Sequence, residues 1–147
     1  MIALPNIIKN SVMAICFLFP LFNYAAPKLK TITISEVTAI DFGTISSENG
    51  ICTMQSGGNL LGSSGQTCSG IQTPGEFDIR ATNGEFMNLS VQGGSTQGLT
   101  FRPQIDGPSL ITLSGGANTV VIIGELELLN VNQGSFNIPY TFSANYE

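Results

Sequence analysis

Two cysteines, Cys52 and Cys68, and two acids two residues apart, Glu125 and Glu127, are the side chains of this 147-residue sequence whose types and spacing could do chemistry. Paired carboxylates on one face of a strand can divide general-acid and nucleophile roles in hydrolysis. Leu126 and Leu128 alternate with these acids, however, and an inward-facing leucine pair leaves both carboxylates in solvent. The chain has no histidine, so a serine or cysteine nucleophile lacks its usual base. Two thiols without histidine are too few for a zinc site. The Gly- and Ser-rich stretch SGGNLLGSSGQ has neither the following helix nor the lysine that a phosphate loop needs and is expected to be a flexible loop. Asn88-Leu89-Ser90 fits a glycosylation acceptor pattern but falls within an expected strand. These residues point to a non-catalytic protein without cofactor or metal.

What the cysteines do depends on the compartment. A short N-terminal segment with one positive charge, Lys9, leads into the apolar run SVMAICFLFPLF and the small pair Ala25-Ala26, the layout of a secretory signal peptide. A membrane-spanning helix needs about 20 apolar residues, and this run is shorter and contains Pro20. The expected division is a signal peptide over residues 1–26 and one domain over residues 27–147, exported to the periplasm, the cell surface or the medium, with Cys16 removed. In an oxidising compartment Cys52 and Cys68 are expected to pair, and the chain-entropy account gives about 3 kcal/mol for closing such a loop. Beyond residue 26, Lys28, Lys30, Arg80 and Arg102 stand against ten acids, a net of −6 (4 − 10), so no basic patch exists for nucleic acid.

Behind these residues the chain reads as short apolar-alternating runs punctuated by Gly, Asn and Pro, with no helical period. Strands are expected at Thr31 to Ile34, Val37 to Ile45, Gly75 to Ala81, Met87 to Gln92, Leu99 to Pro103, Leu110 to Leu113, Thr119 to Ile123, Leu126 to Val131 and Ser135 to Tyr146. Spacing of this kind predicts an all-β antiparallel sandwich or barrel. Asn83-Gly84 is expected to make a tight hairpin and Gly115-Gly116 another turn. At the end of the chain Phe136, Ile138, Tyr140, Phe142, Ala144 and Tyr146 alternate with polar residues or proline, and leaving that face in water would forfeit on the order of 10 kcal/mol. Something must cover it, either from this chain or from a partner.

Three stretches carry a resemblance: AIDFGTI from Ala39 to Ile45, TPGEFDIRATNGEFMNLSV from Thr73 to Val91, and the ending IGELELLNVNQGSFNIPYTFSANYE. Together they resemble a bacterial family of secreted, pilin-like domains of unknown function, related to spore-coat protein U and to chaperone–usher fimbrial subunits. Gly134, fourteen residues from the C-terminus, the alternating series after it and the penultimate Tyr146 occupy the places of the fimbrial C-terminal motif. The resemblance implies an immunoglobulin-like antiparallel β-sandwich lacking its last strand. Its groove would be filled first by a periplasmic chaperone and then, at an outer-membrane usher, by the N-terminal extension of another copy or another pilin. It implies a surface or fimbrial structural subunit in which Gly134 to Tyr146 form the assembly strand. Ile32 and Ile34 are the candidate donor residues, while Leu29 is out of phase with them. The cysteine positions depart from the usual fimbrial bridge, which marks a local feature. If Thr31 to Ile34 is instead the domain's own first strand, the sandwich completes itself and the chain is a secreted binding module or adhesin, with a ligand loop such as Asn49 to Thr73.

Overall fold

A computed structural model of the chain describes residues 30–63 and 65–147. The expected leader over residues 1–26 lies outside the described residues. Within them the fold is an all-β antiparallel sandwich of twelve strands, without helix. The strands are β1 (Thr33–Thr38), β2 (Thr44–Ile45), β3 (Gly50–Met54), β4 (Leu60–Gly62), β5 (Cys68–Ser69) and β6 (Gly75–Arg80), then β7 (Phe86–Gln92), β8 (Ser95–Thr96), β9 (Leu99–Ile105), β10 (Leu110–Thr112), β11 (Ala117–Leu128) and β12 (Thr141–Tyr146).

Strand β11 organises the larger sheet. In ANTVVIIGELEL the buried positions are Val120, Ile122, Gly124, Leu126 and Leu128, a strict period of two that keeps one apolar face from Val120 to the end of the strand. Ala117 to Ile122 pair with β6, which pairs in turn with β1. Further along, Gly124 to Leu128 pair with β3 and Ile122 to Leu128 with β9. The sequence suggested two strands here, broken near Gly124. That glycine has φ +149°, and a Cβ on it would run into the Arg102 carbonyl, so it lets the strand bend without breaking. The smaller sheet has the order β10-β7-β12, and β2-β5 form a separate short pair.

Two core clusters follow from this layout. One is built on Ile79, Met87, Leu89, Leu113, Val120, Ile122 and Ala144, between the two sheets. The other holds Leu99, Phe101, Leu126, Leu128 and Val131, on the half of the larger sheet made by β9, β3 and the second half of β11. Both ladders of the smaller sheet contribute to the first cluster only, since β7 ends at Gln92 and β12 starts at Thr141. One half of the sandwich therefore has two sheets and the other has one.

Several local expectations need correction. The Gly/Ser-rich stretch is not a featureless loop, because Cys52 to Met54 pair with Leu60 to Gly62 in a hairpin closed by Gln55 and Asn59, with Gly57 and Gly58 at φ +85°. Asn83-Gly84 makes no hairpin: β6 and β7 belong to different sheets, and the Gly84 N–H donates across to the Leu113 carbonyl. Gly115-Gly116 does turn the chain, with φ of 69° and 77° between the bridged Ser114 and Ala117. The run from Val37 to Ile45 is interrupted after Thr38, touches Thr73 through an isolated bridge at Asp41, and resumes as β2. The final strand is shorter than expected, starting at Thr141 instead of Ser135.

Candidate functional site

Residues 132–139 keep the alternation of a strand without a strand's partner. Phe136 and Ile138 are half-buried while Ser135, Asn137 and Pro139 are exposed. Among the described residues none of these eight belongs to a ladder or makes a backbone–backbone hydrogen bond. Opposite them runs the segment from Ala39 to Ser47, whose backbone pairs on its other side with residues 67–73. Asp41 exchanges N–H and C=O bonds with Thr73, Ile45 lies opposite Cys68, and the Ser46 N–H donates to the Thr67 carbonyl. Between the two segments lies a cleft of about 950 Å³. Leu99, Phe101, Leu126 and Leu128 form its floor, with Phe42 and Ile138 on its flanks.

The one-sheeted half of the sandwich is therefore an apolar layer covered by two irregular segments. It combines a buried apolar floor, on which Phe42, Ile45, Phe136, Ile138 and Tyr140 pack, with a backbone edge that is unpaired among the described residues.

Tyr140 marks the end of the cleft and packs against both clusters. Its ring meets Phe101 edge-on at 5.6 Å and Phe77 edge-on at 6.0 Å, Phe42 meets Phe101 edge-on at 5.5 Å, and Phe77 stacks on Phe142 at 4.7 Å. This row of rings joins the open half to the closed one. The Tyr140 hydroxyl donates to Glu36 Oε1 at 3.1 Å, and burial first, then the neighbouring carboxylate, pushes its pKa up to about 12.

The Cys52–Cys68 disulfide supports the wall that carries Phe42 and Ile45. Cys52 is fully buried in β3, Cys68 lies in β5 beside β2, and their Cα atoms are 6.0 Å apart. Gln66 adds to the support by donating from Nε2 to the Ser46 carbonyl.

The expected assembly residues divide along this boundary. Phe142, Ala144 and Tyr146 sit in β12, paired with β7 over the closed core, whereas Phe136, Ile138 and Tyr140 border the cleft and Gly134 is exposed at its rim. The candidate donor residues lie in the domain's own structure. Ile32 packs against the first cluster, and Ile34 stands opposite Ile79 in β1. Glu125 and Glu127 are half-exposed while Leu126 and Leu128 are buried, and Glu127 is ion-paired with Arg102. Among the described residues no group of three His, Cys, Asp or Glu is placed to hold a metal ion, and no helix is long and apolar enough to cross a membrane. Sequence reading missed Leu99, Phe101, Leu126 and Leu128 as site residues. Their alternation was visible, but nothing in it says which half of a sandwich lacks a cover.

Searches of protein-family models, curated proteins and solved structures match nothing.

Proposed function

We propose that the chain is a non-catalytic structural subunit of a cell-surface or fimbrial assembly, exported from the cell and built by strand exchange. The observation that carries this reading is the segment Asn132 to Pro139, an apolar-alternating stretch beside an apolar floor with no backbone partner among the described residues. A strand from another chain laid along it would pair the free edge and set its alternate side chains into the cleft between Phe42 and Ile138. The pilin-like resemblance supplies the sources of such a strand: a periplasmic chaperone during export, an outer-membrane usher as the place of exchange, and copies of this chain or other pilins as donors.

A second reading, a self-complete secreted binding module, is favoured by Ile32 packing in the core and by β1 pairing within the domain. The two separate by experiment. Refolded alone, an acceptor subunit is oligomeric or unstable by size-exclusion chromatography, and an added apolar-alternating peptide converts it to a stable monomer. A protein that refolds alone to a stable monomer, indifferent to peptide and with amides 132–139 protected from exchange, overturns strand exchange and leaves the binding module.

A further inference from the structure

The outer faces of the two sheets differ in kind. On the larger sheet the outward positions of β6, β9 and β11 carry Glu76, Asp78, Arg80, Arg102, Glu125 and Glu127. On the smaller sheet β7 points Phe86, Asn88, Ser90 and Gln92 outward and buries Met87 and Leu89. The register sets Thr112 opposite Phe86 and places Leu110 and Asn145 on either side of Asn88, with Ser143 opposite Ser90 and Thr141 opposite Gln92. No outward position within these three strands is charged. The amide and hydroxyl side chains of the rows make no hydrogen bond to another described residue. Phe86 is 55% exposed and Leu110 44%, and as diagonal neighbours on β7 and β10 they form one apolar patch. Just past β12, the Glu147 N–H donates to the Phe86 carbonyl, which places one acid at that end of the face.

We infer that this face binds a neutral polysaccharide, with a sugar ring packed on Phe86 and Leu110 and its hydroxyls exchanging hydrogen bonds with Asn88, Asn145, Ser90 and Ser143. A sugar hydroxyl both donates and accepts, and so do carboxamides and hydroxyls, whereas carboxylates only accept and ammonium groups only donate. Asn88 and Asn145 stand side by side with Cβ atoms about 5 Å apart, close enough for two amides to bracket neighbouring hydroxyls of one ring. The apolar C–H side of that ring packs on an exposed aromatic side chain. Other occupants fit less well. The backbone of β7 is paired on both sides, so an extended peptide laid on this face gains no main-chain bonds. A nucleic acid needs cations, and an acidic polysaccharide would meet Glu147 without a compensating base within the three strands. A second copy of the chain would need more area. Three strands about 4.8 Å apart and seven residues at about 3.4 Å make a face of roughly 340 Å², less than half of the about 800 Å² that a stable interface buries on each partner. The face shares no residue with the cleft and is present whether or not strands are exchanged there.

The test uses the full-length exported protein, with dextran, laminarin and galactomannan as neutral probes and alginate as an acidic one. Affinity electrophoresis finds the polysaccharide that binds, and isothermal titration measures it against wild type, Phe86→Ser, the double variant Asn88→Ala, Asn145→Ala, and Arg80→Gln on the other sheet. All substituted positions are exposed, so melting temperatures should stay close to wild type. At least one neutral probe should bind, and Phe86→Ser should weaken it about tenfold. Loss of both amides should weaken it by a similar factor. Arg80→Gln should leave it unchanged, and raised salt should have little effect because no charge pairs form. Failure of all three neutral probes to bind, or binding that the face variants do not alter, would overturn the inference. Tighter binding of alginate would overturn the neutral ligand. A dimer that forms with rising protein concentration and that Phe86→Ser abolishes would assign the face to a second copy and overturn the polysaccharide.

Discussion

The Tyr140 hydroxyl donates to Glu36 Oε1 at 3.1 Å, joining the N-terminal edge of the sandwich to the residue that precedes its last strand. Burial, with Glu36 as the second cause, raises the phenol's pKa from 10.0 to about 12, so the folded chain favours the neutral ring more than the unfolded chain does. Its contribution to stability is complete below about pH 10 and is lost as the pH climbs toward about 12. Tyr140→Phe should cost about 1 kcal/mol near neutrality. The difference in melting temperature between wild type and variant should then shrink between about pH 10 and pH 12. A constant difference across that range would show that the hydroxyl has no such role.

Phe142 and Phe136 occupy equivalent places in the alternation but different halves of the sandwich. Phe142 stacks on Phe77 over the closed core, and Phe142→Ser should cost roughly 3 kcal/mol or more in the isolated protein. Phe136 flanks the open cluster, so Phe136→Ser should cost about 1 kcal/mol or less in the isolated protein while weakening peptide capture at least about tenfold. Urea unfolding and peptide titration of both variants check this. Equal losses of stability would erase the distinction between the halves.

Ile32 and Ile34 should also part company. Ile32 packs against the first cluster, so Ile32→Asp leaves an unpaired charge in the domain's own core and should destabilise it by roughly 2–4 kcal/mol. Ile34 is 37% exposed on β1, and Ile34→Asp should cost under about 1 kcal/mol. Addition of a peptide spanning Lys28 to Glu36 should not restore the first variant. Rescue would mean that this segment folds onto a neighbouring copy.

Joint replacement of Cys52 and Cys68 by alanine should lower stability by about 3 kcal/mol on the chain-entropy account. The loss should fall on the cleft wall, because β5 supports β2 and the bridge ties β5 to β3. Peptide capture should therefore fail at temperatures where the closed core still melts cooperatively. Alkylation of both thiols in unreduced native protein would refute the bridge.

Much of this architecture was legible because burial in a sheet repeats every two residues. Gly75 to Ala81 and Met87 to Gln92 map onto β6 and β7 within a residue, and Leu110 to Leu113 onto β10. The cysteine pair was legible from its isolation. Less legible was pairing, which is not a local property. Phe136 and Ile138 alternate as well as Phe142 and Ala144 do, yet only the second pair has a neighbour in β7. The hairpin of β3 and β4 was hidden by its glycines, whose positive φ suits a tight turn but whose composition reads as loop. Asn83-Gly84 carries a hairpin signature and is used to cross between sheets, a choice set by the partners on either side.

One strand, β11, runs through both halves of the sandwich, and its amides need not share one fate. Val120 and Ile122 sit under two sheets, Leu126 and Leu128 under one. With the cleft empty, the second half can open as a unit of its own, so its hydrogens should exchange by a cheaper local route while those of the first half wait for global unfolding. A bound strand closes that route. Occupancy of the cleft is thus written into the exchange rates of a strand that lies beneath it, and the ratio between the two ends of β11 reports assembly without a label on either partner.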